Sequence, residues 1–128
     1  MSADKQPREA IIPDLNIHYL HAGCGDPVVF LHGWAAFKEI WWQTLAGIAP
    51  RYQGIALEWP GHGHSPAMPE RMTLSDLVTL TVQSCAKLDL QHITVVGHSM
   101  GGRVAALLAL TYPHSVSYTH LTLPTNRE

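Results

Sequence analysis

Cysteine is scarce: Cys24 and Cys85 are the only two in 128 residues, and they form neither a CxxC pair nor a spaced framework. That excludes a disulfide scaffold and leads us to expect reduced thiols in a cytoplasmic setting. Long apolar runs are missing too, since nothing approaches the ~20 residues that cross a bilayer, and no membrane span is expected. The start, Met1 to Ala10, contains Asp4, Lys5, Arg8 and Glu9 and lacks the apolar stretch of a secretory signal. Basic clusters are also absent. With 8 Lys+Arg against 10 Asp+Glu and a formal charge of -2, no stripe could follow a phosphate backbone, so nucleic acid is not an expected partner.

What is present is apolar. At 46% hydrophobic and 14% charged residues the chain has the makings of one packed unit and too much apolar surface for disorder. Ile11 and Ile12, then the alternation from Asn16 to Leu20, predict a hairpin turned by Pro13 and Asp14. Val28 to Leu31 is a continuous apolar run, as in a strand buried on both faces, and Gly54 to Leu57 is a second. Between them Ile40, Trp41, Thr44, Leu45 and Ile48 recur at helical spacing and predict one crossover helix ending near Pro50.

Thr73 and Asp76 have the spacing of a capping box, and Leu74, Leu77, Val78, Thr81, Cys85 and Leu88 trace one face of the helix that follows. Ile93 to Val96 is a β-branched run, and Arg103 to Leu110 an Ala/Leu-rich helix that stops before Pro113. This alternation predicts an α/β fold with a doubly wound, mostly parallel sheet. The loops at Gly33, Gly61 and Gly97 would then share the edge formed by the strands' carboxyl ends.

One of those loops carries chemistry. Ser99 lies in Gly97, His98, Ser99, Met100, Gly101, between a β-branched strand and an Ala-rich helix. That context turns a G-x-S-x-G string into a nucleophile elbow. The turn forces Ser99 into a strained conformation, and the flanking glycines remove Cβ atoms that would strike neighbouring backbone. Met100, opening the helix, offers an N–H to an oxyanion formed at Ser99. In the competing reading Ser99 merely caps the helix. Trp34, after His32 and Gly33 at the end of the first central strand, is the expected second oxyanion donor. His32 is expected to orient that loop, and His98 to pack beside the site.

The stretch from Gly25 to Pro113 resembles the α/β-hydrolase superfamily, with HGW, PGHGHS and GHSMGG in the family's order. The HGW loop is similar to that of carboxylesterases of the pimeloyl-carrier methyl ester esterase type. The resemblance implies a serine hydrolase that acts on a small-molecule carboxylic ester or related acyl bond, without a cofactor. Lactonases, carbon-carbon bond hydrolases and a non-catalytic hydrolase-like binding protein remain as alternatives. Glu58 stands where the family usually has Asp, and its longer carboxylate is expected to accept backbone N–H bonds with a small rearrangement. His62 and His64 could be read as a metal pair, but no Asp or Cys ligand cluster accompanies them, and no metal is expected. The aromatic group Trp34, Phe37, Trp41 and Trp42 could line an acyl pocket, with Trp41 equally placed for the core.

The triad's remaining members are lacking. In this fold acid and histidine follow the nucleophile, yet beyond Ser99 the only carboxylate side chain is Glu128 and the only histidines are His114 and His120. His114 lies a whole helix away from the serine, and His98 is turned aside by the elbow. A fragment inactive as an esterase is therefore expected. The tail departs as well: Val116 to Thr125 resembles translated transposon-adapter DNA of sequencing libraries, since GTC TCT TAT ACA CAT CTG ACG CTG CCG ACG encodes these ten residues in order. Residues 1–115 are thus expected to be the N-terminal part of the hydrolase domain, and 116–128 non-native and not the buried strand the fold calls for.

Overall fold

The central strands carry unbroken buried runs, Val28 to Leu31 and Gly54 to Leu57, and lie inside one six-stranded sheet. The computed structural model describes residues 6–63, 65 and 72–122. Its strands are β1 (Arg8–Ile12), β2 (Ile17–Ala22), β3 (Asp26–Leu31), β4 (Tyr52–Leu57), β5 (Ile93–His98) and β6 (Val116–Thr122), in the spatial order β1-β2-β4-β3-β5-β6. The hairpin β1/β2 is antiparallel and joins β4 antiparallel, while β4, β3, β5 and β6 run parallel.

Successive side chains on each strand point to opposite faces, so the buried strands feed two cores. Val29, Leu31, Ile55, Leu57 and Val95 pack under α2 (Leu74–Lys87) and α3 (Met100–Thr111), whereas Val28, Phe30 and Ala56 pack under α1 (Trp42–Ile48). Helices therefore cover both faces, as a doubly wound sheet requires. Leu45 seats α1 with no exposure, and it can do so because Gly54 beneath it has no Cβ to strike the leucine Cδ2. The expected capping box is present: the Asp76 N–H donates to Thr73 Oγ1 at 3.1 Å and the Thr73 N–H to Asp76 Oδ2 at 2.8 Å.

Two expectations need correction. The single crossover helix over 40–48 is instead a 3₁₀ turn, Lys38–Trp41, followed by α1, with Trp41 at φ -94°, ψ 3° between them. The reason lies at Lys38, whose N–H is bonded to Glu58 Oε2 at 3.1 Å, so the first turn is bound to the sheet edge before the α-helix begins. Second, residues 116–122 do form a strand, parallel to β5 with Thr94 opposite Tyr118 and Val96 opposite His120. The free edge of β5 offers a row of backbone groups, and Val116, Tyr118 and Thr119 favour extended backbone. The strand is not buried: Tyr118 is 70% and Leu121 51% exposed.

Register places the site. Leu31 lies opposite both Leu57 and Gly97, so β3, β4 and β5 end level with one another. The loops that follow them meet on one edge of the sheet.

Candidate active site

Ser99 sits at the tip of the turn between β5 and α3, with φ 56° and ψ -118°. A positive φ on a residue with a Cβ is strained and persists only where packing enforces it. Here the enforcement comes from two glycines: a Cβ on Gly97 would overlap the Gly101 carbonyl, and one on Gly101 would overlap the Leu31 carbonyl. With both absent, the turn closes tightly against the end of β3. The ladder of α3 begins with the N–H groups of Gly102 and Arg103, both on the Ser99 carbonyl. The amides of Met100 and Gly101 precede that ladder and point from the positive end of the helix.

The loop after β3 lies against this turn. A Cβ on Gly33 would stand 3.1 Å from Ser99 Cβ, 3.7 Å from Ser99 Oγ and 3.2 Å from the His98 carbonyl oxygen. Gly33 is thus the point of close approach between this loop and the serine turn. Ala35, at φ 62°, turns the chain back on itself, and the Ala36 N–H closes that turn on the Gly33 carbonyl at 3.2 Å. Among the described residues the Trp34 N–H has no hydrogen-bond partner. Ser99 and Met100 are half-buried.

The segment after β4 braces this loop. His32, fully buried, places Nδ1 2.7 Å from the Gly33 carbonyl oxygen and accepts the Trp59 N–H on Nε2 at 3.1 Å. An imidazole that accepts a backbone N–H on Nε2 is neutral, with its proton on Nδ1. Burial pushes the His32 pKa down to about 4, against a smaller upward pull from the Gly33 carbonyl. His32 is thus held as a neutral brace between the two loops. His62 has the same tautomer: Nε2 accepts the Ala35 N–H at 2.9 Å and Nδ1 lies 3.0 Å from the Pro60 carbonyl oxygen. Both of its nitrogens are committed to the loops. Its partner in the histidine pair, His64, lies outside the described residues, among which no cluster of metal-ligating side chains occurs.

Glu58 is fully buried and accepts a backbone N–H, that of Lys38, as its residue type suggested. Its other partner, missed from the sequence, is the ammonium of the same lysine. The Lys38 side chain is also fully buried, with Nζ 3.1 Å from Glu58 Oε1, 3.0 Å from Glu9 Oε2 and 2.9 Å from Glu39 Oε2. Burial works against its charge, but the carboxylates of Glu39, Glu9 and Glu58 outweigh burial and hold its pKa above the ordinary lysine value. Trp59 and Ser65 were missed as well. The Trp59 indole donates to the His32 carbonyl at 2.8 Å, and the Ser65 hydroxyl donates to the Glu58 carbonyl at 3.0 Å. One signal for Lys38 was available: a buried loop carboxylate demands a cation or several N–H donors.

The aromatic residues divide. Trp41 packs on Phe30, ring centroids 5.0 Å apart, under α1, so it belongs to the core face. Trp34 is 65% exposed and stands edge-on to His62 at 5.1 Å, at the mouth of the site. The histidines beyond Ser99 are elsewhere. His114 follows the 12 residues of α3, and His120 lines a groove on the α1 face of the sheet with Val96 and Phe30. At 1.5 Å per residue a helix of that length separates its ends by about 18 Å.

A serine on a strained strand-to-helix turn at a helix N-terminus, with a glycine of the β3 loop packed against it, is the arrangement of an α/β hydrolase, and comparison with known proteins agrees. The profile of the family described as alpha/beta hydrolase fold matches residues 26–126. This chain belongs to that family. It is 32% identical over 99 residues to the (E)-2-((N-methylformamido)methylene)succinate hydrolase of Acinetobacter baylyi, covering 77% of this chain and 38% of the relative. It is 32% identical over 102 residues to the pimeloyl-[acyl-carrier protein] methyl ester esterase of Vibrio campbellii, covering 80% and 38%. Among solved structures, a bacterial membrane phospholipase A superposes with a TM-score of 0.81 at 27% identity, covering 90% of this chain and 38% of that one. The chain thus spans less than two fifths of the length of these relatives. Among the described residues no helix is long and apolar enough to cross a membrane.

Proposed function

We propose that the full-length protein to which this chain belongs is a serine hydrolase acting on a carboxylic ester or related acyl bond. The observation that carries the reading is the backbone of Ser99, φ 56° and ψ -118°, held between two close-packed glycines with Gly33 against its Cβ. Strain of this kind is retained where it serves a site. Ser99 Oγ attacks the acyl carbon, and the carbonyl oxygen, now anionic, is held by the N–H groups of Trp34 and Met100. The serine proton passes to a histidine supplied C-terminal to residue 115 and from it to the leaving alcohol as the C–O bond breaks. Water, deprotonated by the same histidine, then releases the acid and restores Ser99. The fragment with residues 116–128 as its tail lacks that histidine and its acid partner, and we expect it to be inactive.

The similarity to a protein named as a methyl ester esterase favours esters, whereas the similarity to the succinate-derivative hydrolase keeps other acyl bonds open. Hydrolysis of p-nitrophenyl esters, lactones and vinylogous diketones by the full-length protein separates these. Ester turnover in excess of the other two supports the reading. A preference for lactones or diketones moves the protein to another branch of the fold, and no turnover of any, with a folded protein, points to a non-catalytic binding role.

A further inference from the structure

One short segment pins the loop that carries Trp34 along its whole length. Trp59 holds residue 32, His62 holds residue 35 and Glu58 holds residue 38. The first two contacts set imidazole nitrogens against main-chain N–H groups, while the third is ionic, between two side chains without exposed surface, its ammonium also meeting the part-exposed Glu9 and Glu39. A buried ion pair is seldom the most stable filling for its volume, because desolvation offsets most of the attraction. What it provides is fixed geometry. The Glu58 carboxylate binds both the main-chain N–H and the side-chain ammonium of Lys38, so residue 38 cannot turn without breaking two charge-assisted hydrogen bonds. The same ammonium reaches Glu9 on β1, and the Glu58 main chain is fastened by Ser65, whose hydroxyl accepts the His18 N–H from β2 at 3.2 Å. The loop end is therefore tied to the end of β4 and to the hairpin at once.

We propose that Lys38 and Glu58 are positioning residues, whose enclosed ion pair sets the place of the Trp34 N–H beside Ser99. The proposal rests on the hydrolase reading above. An oxyanion donor acts only within ~2.7–3.1 Å of the forming charge, so a loop displaced by a fraction of an ångström loses transition-state stabilisation while substrate still binds. Ala35 at φ 62° makes the loop sensitive to release, because that conformation is held by the contacts on either side of it. Neither Lys38 nor Glu58 needs to touch substrate for this.

The test compares the full-length protein with Lys38→Met, Lys38→Arg and the double variant Lys38→Met/Glu58→Gln. The double variant removes both charges but keeps an acceptor for the residue-38 N–H. Two readouts are followed, the rate of covalent labelling by a fluorophosphonate and the kcat and KM for a p-nitrophenyl ester. We expect Lys38→Met to lose about tenfold or more in labelling rate and in kcat with KM within about twofold, the pattern of a lost transition-state contact. Lys38→Arg should recover most of that rate. The double variant should unfold at the wild-type temperature yet remain slow. A double variant as fast as wild type, or a Lys38→Met loss matched by its unfolded fraction, overturns the proposal and makes the pair merely structural. A folded wild type that fails to label removes the hydrolase reading and this inference with it, whereas normal labelling of wild type and all variants removes this inference alone.

Discussion

His32 and Trp59 clasp each other across the sheet edge: the Trp59 N–H donates to His32 Nε2 at 3.1 Å, and the Trp59 indole donates to the His32 carbonyl at 2.8 Å. The imidazole is neutral in this clasp, because protonating Nε2 would set two N–H groups against each other. Native His32, with a pKa of about 4, therefore resists a proton that the unfolded chain accepts near 6.5. Between those values the unfolded state binds more protons, so stability is full above pH 6.5 and declines as pH falls toward 4. At 1.36 kcal/mol per unit the loss reaches about 3 kcal/mol. Urea unfolding at pH 7 and pH 4.5 checks this: His32→Gln, which does not titrate, should lose clearly less stability over that interval than the wild type.

The strain at Ser99 predicts a trade between stability and chemistry. Glycine adopts φ 56° without the Cβ penalty. Ser99→Gly should raise stability by about 1 kcal/mol, the relief of strain less glycine's extra entropy cost, while abolishing serine labelling. Thermal unfolding beside a labelling assay reads both effects, and a Ser99→Gly protein that melts well below wild type would show that the turn is not strained.

At the start of α2 the reciprocal bonds between Thr73 and Asp76 satisfy main-chain donors that the helix leaves open. Thr73→Ala should cost about 1 kcal/mol and leave labelling of Ser99 unchanged, since this cap is not part of the loop network. The check is a denaturant midpoint shift at constant slope.

The elements that set the fold were legible because each had a local signature. Two-face burial appears as the unbroken runs Val28 to Leu31 and Gly54 to Leu57, β5 as the β-branched run Ile93 to Val96, the cap as Thr73 with Asp76, and the elbow's glycines at fixed offsets from Ser99. The brace was not legible, because it is made of contacts far apart in sequence. Nothing local says that Lys38 is buried, or that His62 accepts a main-chain N–H from Ala35. The split at Trp41 was hidden for the same reason, its cause being the Glu58 carboxylate twenty residues from Lys38. For residues 116–122 strand propensity and an open β5 edge outweighed the lack of burial that had argued against a strand.

The proposal that residues 116–128 are non-native makes a prediction at the level of DNA. Amplification of the source gene across codon 116 should give a sequence that departs from this tail after Ser115 and continues into a longer reading frame. A genomic product that repeats Val116 to Glu128 and then stops would make the tail native.

The central claim, that Ser99 is the nucleophile of a hydrolase, is met most directly by mapping a fluorophosphonate adduct on the full-length protein by mass spectrometry. The account predicts a single adduct on the peptide containing Ser99, lost in Ser99→Ala and lost on prior denaturation. A folded full-length protein that carries no adduct, or carries it on another serine, would contradict the account.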